Sequence, residues 1–161
     1  MGRVIFGALA GISATTAMTV AMRHLRPLLS HDPYPLPPRE IFDRVSPNGT
    51  GGLAPLGTVI SHFAFGSLAG AIYGMIPRRQ RPGGVPFSLM VWAASYLGWI
   101  PAFGILKSAV RHPIERNLLM LAAHAVWGVT LAASLRELEA ATADIFAGGP
   151  KRDAPANIKR G

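Results

Sequence analysis

Cysteine is absent from this chain of 161 residues, and acidic residues are scarce: eight Asp and Glu stand against sixteen Lys and Arg. The first absence excludes a disulfide framework, thiolate catalysis, cysteine-ligated zinc and cysteinyl iron–sulfur clusters, and it removes the usual clue to redox compartment. The second matters because of where charge is missing. Residues 4–22, 53–76, 84–106 and 117–135 contain no Asp, Glu, Lys or Arg at all. Only 15% of the chain is charged, half is apolar and the mean hydropathy is +0.31, outside the range of ordinary soluble domains. A net charge of +8 would suggest nucleic acid in a soluble protein. Here no basic run is interleaved with aromatics, and the Arg and Lys residues border the apolar stretches, where they meet anionic headgroups and set topology. Nucleic acid is therefore not an expected partner; the lipid bilayer is.

What is present is enough apolar sequence to cross a membrane four times. At ~1.5 Å per residue, roughly 20 helical residues span a ~30 Å hydrocarbon core, and a helix satisfies its own backbone where no water can. The expected fold is all-α, an integral-membrane antiparallel four-helix bundle in residues 1–135, followed by a charged tail over 136–161 that reads as disordered. The first stretch has the alternative of a signal peptide, with Arg3 as its positive end. Thr15, Thr16 and Thr19 interrupt it, and Met22-Arg23-His24 lacks the small residues of a cleavage site, so a retained helix is the reading.

The connections differ in kind. Residues 23–52 carry Pro33, Pro35, Pro37 and Pro38 and then Ser46-Pro47-Asn48-Gly49, a turn-rich segment in which only Pro38 to Val45 suits a short interfacial helix. Asn48-Gly49-Thr50 matches a glycosylation acceptor but is better read as a glycine turn. The short turns at 77–83 and 107–116 require antiparallel neighbours. Nine Lys and Arg lie with the two termini and the Arg78 to Arg81 turn, and seven in the other two loops. Setting aside the distant Lys159 and Arg160 leaves a tie, so termini inside is a narrow preference.

Small residues recur at four-residue steps, which aligns them on one helix stripe and permits close backbone approach. The second span has Gly66, Gly70 and Gly74, a glycine-zipper pattern. The first has Gly7 and Gly11 followed by Thr15 and Thr19, a natural partner. The third offers Ala94, Gly98 and Ala102, and the fourth Gly128 and Ala132. The expected bundle has small residues inside and larger apolar ones outside. Pro101, between Gly98 and Gly104, predicts a kink in the third span.

His62 and His124 are the readily titratable groups well inside the spans. Each begins the same pattern, HxxFG in one and HxxWG in the other, and each lies roughly 10–14 Å along its helix at ~1.5 Å per residue. With Arg23-His24 and Arg111-His112 after the odd-numbered spans, the likeness suggests either an old hairpin duplication or chance. Three roles stay open for the pair. They are a neutral hydrogen-bonded lock between helices, a ligand or proton site, and the two axial ligands of a b-type haem. Tyr96, Thr15 and Thr19 supply hydroxyls for such a site. No span carries a carboxylate to orient a histidine, and no serine lies in a nucleophile-elbow context, so no catalytic residue is assigned and no metal site is expected.

Five blocks occur in order: GALAGISATTAMTVAM, YPLPPREI, SHFAFGSLAGAIYG, VWAASYLGWIPAFGIL and RHPIERNLLMLAAHAVWG. Together, over about residues 2–130, they resemble the YagU-like family of uncharacterised bacterial inner-membrane proteins. The resemblance implies a small multi-spanning inner-membrane protein and brings no reaction with it. It marks Pro37, Pro38, His62, Gly66, Trp92, Tyr96, Pro101 and His124 as positions to test. Three function classes result. The leading one is a non-enzymatic membrane protein acting through helix packing and partners, including a second copy of itself. The others are a transporter or channel component using His62 and His124, and a haem- or quinone-binding redox protein, for which the histidines and Trp92, Trp99 and Trp127 argue.

Overall fold

The computed structural model describes residues 2–29, 35–46 and 53–146, and every regular element among them is helical. Helix α1 is Gly2–Leu25, closed by a 3-10 turn at Arg26–Leu28; α2 is Pro37–Val45 and α3 is Ala54–Met75. Helix α4 covers Gly84–Ala102, and α5 is Ile114–Ala141. Four helices, all but α2, are long and apolar enough to cross a bilayer. The chain thus has the architecture of a multi-pass membrane protein. Large apolar side chains such as Ile5, Ile60, Leu68, Ile72, Leu118 and Val129 point outward, as a lipid-facing surface requires. The acceptor sequence Asn48-Gly49-Thr50 and the tail beyond 146 lie outside the described residues.

Helix α1 runs through the middle, with α3 on one side and α5 on the other; α4 packs on α5, and α2 lies across α3. The α1–α3 seam is backbone against backbone. A Cβ added to Gly7 would strike the carbonyl oxygen of Gly70, one on Gly11 that of Gly66, and one on Gly74 that of Arg3. The Gly66 position is filled from the other helix by the Thr15 hydroxyl. Such closeness multiplies dispersion contacts where lipid gives no hydrophobic drive, and Ser67 adds a hydroxyl donated to the Ala8 carbonyl at 3.4 Å. The central layer mixes sizes. Ala10 and Ala14 of α1 are buried, and so are Leu119, Trp127, Leu131 and Leu135 of α5.

Gly98 corrects the expected packing stripe of the third span. A Cβ there would meet only the Ala93 carbonyl, at 4.0 Å, so no helix presses on it. The glycine that α5 uses is Gly84, at the start of α4: Cβ atoms on Gly84 and Gly128 would each strike the other's carbonyl, with the buried Ser88 alongside. Gly98 marks a break instead. After a regular stretch at Gly84–Ala93 the backbone widens to a π-helical turn at Ala94–Trp99, where Gly98 has φ −104° and ψ −107°. Pro101 explains it: the ring has no N–H to give and crowds the carbonyl of residue 97, so the distortion falls one turn before the proline. Helix α4 then ends at Ala102, short of the residue-106 boundary expected from hydropathy. Gly104 takes φ +67°, and the N–H groups of Gly104 and Ile105 donate to the carbonyls of Pro101 and Ile100, both at 3.0 Å. This is a Schellman termination, and it needs the residue without a Cβ.

Helix α5 continues past residue 135, where charge suggested the tail begins, through Arg136 to Ala141. The physical reason is Glu139. Its carboxylate is buried and accepts from Arg78 Nε at 2.8 Å and Arg81 Nη2 at 3.0 Å, which ties the last turns of α5 to the α3–α4 connection.

Candidate functional site

Helices α3 and α4 meet through rings rather than backbone. Tyr73 and Phe87 close one end with ring centroids 4.8 Å apart, and Phe65 and Trp99 face each other at 6.4 Å nearer the other. Trp92, at the end of the regular stretch, and Ser95 and Tyr96 of the π turn all line the inner side, and between the helices a cavity of about 270 Å³ remains. Thr15 and Met18 of α1 form its floor, and Met120, His124 and Trp127 of α5 its far wall. Pro37, Pro38 and Ile41 of α2 cover the end toward the 107–113 turn.

Both intramembrane histidines line this space. His124 Nδ1 is 2.7 Å from the Met120 carbonyl; a carbonyl only accepts, so Nδ1 carries the hydrogen and Nε2 is left as an acceptor. His62 Nε2 is buried and has no hydrogen-bond partner among the described residues, and neither has Trp92 Nε1. By contrast Trp127 Nε1 donates to Thr15 Oγ1 at 3.1 Å, and that hydroxyl donates to the Gly11 carbonyl at 2.8 Å. Thr15 is therefore a satisfied bridge between α1 and α5. Thr19 does not belong to the group: it is exposed, its hydroxyl donates to the Thr15 carbonyl at 2.8 Å, and it does not line the cavity.

Tyr96 joins the cavity to a polar lock that has no local sequence signal. Arg116 is 1% exposed, and its Nη2 donates to Glu40 Oε2 at 2.6 Å and to the Tyr96 hydroxyl at 3.3 Å. Helix α2 presents that glutamate because Pro37 starts it, after an extended Leu36, and because Arg39 and Asp43 pair across one turn at 2.8 Å. It approaches closely because Gly57 leaves room for the Phe42 ring. Glu40 and Arg116 are 76 residues apart in the chain, so neither could be read as a site residue beforehand. Their chemistry is that of a latch, holding the proline-rich cover against the cavity.

Among the described residues the lining contains no Asp, Glu, Lys or Arg, and its serines bond elsewhere than to a histidine, Ser61 Oγ donating to the Thr58 carbonyl at 3.1 Å and Ser95 Oγ accepting from Trp99 Nε1 at 3.3 Å. Among the described residues no group of three or more His, Asp or Glu is arranged to hold a metal ion. The two imidazoles are the groups an axially ligated cofactor would use. Ligand pockets run to roughly 300–1,000 Å³, so a space of about 270 Å³ suits a small molecule better than a macrocycle. No family model, curated protein or solved structure matches the chain.

Proposed function

We propose that the chain is a polytopic protein of the bacterial inner membrane, akin to the YagU-like family, with both termini cytoplasmic, and that it binds a small, mainly apolar ligand in the cavity between α3 and α4. The observation that carries this reading is the pair of buried, unpartnered nitrogens on its walls, His62 Nε2 and Trp92 Nε1. An unsatisfied polar atom away from water costs about 1–3 kcal/mol, and two of them facing one space call for a shared partner. Trp92 can only donate, so the ligand must present an acceptor, a carbonyl, ether or hydroxyl oxygen. The stacked rings of Trp92 and Tyr96, 6.2 Å apart, offer a flat apolar wall that favours a planar or unsaturated body. The protein is then a binding protein and not an enzyme.

The experiment is to purify the protein in mild detergent, extract it with organic solvent and identify what is released by mass spectrometry. An oxygen-bearing apolar compound, retained by wild type and lost from Trp92→Phe and His62→Leu, is the expected result. No enriched compound in folded wild-type protein, or equal retention by both variants, overturns the proposal. A Soret band in the absorbance spectrum would move the assignment to haem. Reporter fusions at Arg79 and at the C-terminus test topology: opposite sides would contradict four crossings.

A transport role is the second reading, favoured by the Glu40–Arg116 latch on the cavity cover. It requires that breaking the latch speed ligand exchange without lowering the amount bound.

A further inference from the structure

At the end of the molecule opposite α2, a second recess of about 770 Å³ lies between the start of α4 and the last turns of α5. Its walls are of two kinds. Val85, Val129 and Ala132 form an apolar trough along the helices, and Arg78, Arg81, Arg136 and Glu139 stand at its outer end. Among the described residues of the lining, Glu139 is the one carboxylate beside three guanidinium groups, so the head of the recess has an excess of positive charge.

The three arginines are not equivalent. Arg81 is 9% exposed and fully committed: it bonds both oxygens of Glu139 and the Ile76 carbonyl, and its guanidinium lies over the Tyr73 ring at 5.4 Å. Arg78 uses only its Nε on Glu139, at 2.8 Å, and with 61% of its side chain exposed both terminal nitrogens remain available. Arg136 is exposed and takes no ion pair from the described residues. Glu139 thus fixes one arginine and holds a second on the recess that Arg136, without an ion pair among the described residues, also lines. Two forked donors lining one recess suit the oxygens of a phosphate diester.

We infer that this recess binds an anionic phospholipid, with the phosphate between Arg78 and Arg136 and an acyl chain along Val85 and Val129. The apolar trough decides for a lipid over a free anion. Val129 is 59% exposed on the lipid-facing surface, and the arginines sit where the apolar part of α3 ends, at the depth of headgroups. Helix α4 touches α5 beside the trough through Gly84 and Gly128, whose backbones meet.

The test is thermal unfolding of the purified chain in detergent micelles doped with phosphatidylglycerol or phosphatidylcholine, or with inorganic phosphate added to the buffer. Phosphatidylglycerol should raise the unfolding temperature and the other two should not. Arg136→Gln should lose most of that rise, whereas Arg79→Gln, an exposed neighbour outside the recess, should keep it. Arg78→Gln should also lose it; because that change touches Glu139, the Arg136 variant decides if Arg78→Gln fails to fold. An equal rise with phosphatidylcholine, or an equal loss in Arg79→Gln, overturns the site. The same rise with inorganic phosphate overturns the lipid and leaves a soluble anion.

Discussion

Helix α3 has two inner faces that do opposite things. One, through Gly66, Gly70 and Gly74, is pressed onto α1 until carbonyls and Cα atoms touch. The other, through His62, Phe65 and Ala69, is held away from α4 by aromatic rings and encloses a cavity. The contrast teaches that the same bundle is over-determined on one side and under-filled on the other. A seam with no side chains to rearrange is rigid, and so provides a fixed wall from which the opposite face can leave space without the helices collapsing.

The sharpest way to break that contrast is Gly70→Leu. An isobutyl group would have to enter where Gly7 and Gly11 backbone already sit, so the helices must separate, and the loss should exceed the ~3 kcal/mol upper end of ordinary overpacking. Thermal unfolding in detergent measures it. A melting temperature equal to wild type would mean the seam does not hold the bundle.

The next effect in size belongs to the cavity's cover. Glu40→Ala leaves Arg116 buried without its carboxylate, a change that costs about 3 kcal/mol, the low edge for a buried pair because the Glu40 side chain keeps 22% exposure. Protease accessibility of the α2 segment should rise alongside the drop in stability. A variant with unchanged stability and unchanged proteolysis would show that the latch does not hold α2.

A smaller effect is expected at the histidines. They share a cavity without an observed bond between them, so in ligand-free protein His62→Leu and His124→Leu should be additive. Each intramembrane hydrogen bond is worth ~0.6–1.7 kcal/mol, and His62, with Nε2 unpaired, should lose less than His124. Loading the ligand should make the two changes non-additive, because both then act on one bound molecule. Additivity under both conditions, in a double-mutant cycle on unfolding, would separate the two residues and weaken the shared site.

Smallest of all is Leu68→Ala on the outer face of α3. Its side chain is 61% exposed toward lipid, so truncation should stay within about 0.5 kcal/mol in the same unfolding assay. A loss approaching that of Gly70→Leu would mean that this face is covered by another chain.

Much of this was legible in the sequence. Four charge-free stretches announce the crossing helices, since hydropathy and length are properties of each segment alone. The four-residue recurrence of Gly7 and Gly11 with Gly66, Gly70 and Gly74 is equally local, because one helix's own period aligns it. Partner choice is not local. Gly98 had the right spacing for a seam, yet Gly84 makes it, because Pro101 unwinds the turn around Gly98 and the backbones of α4 and α5 touch at the start of α4. Nor could spacing reveal that Glu40, in a proline-rich connection, meets Arg116 at the start of α5, or that Glu139 belongs to the bundle instead of the tail. The sequence by itself determined which segments enter the membrane and which stripes permit contact, through hydrophobicity and helical period. The tertiary structure decided which stripes were used, where rings hold helices apart, and which side chains share the resulting space, because those depend on distances between segments that share no periodicity.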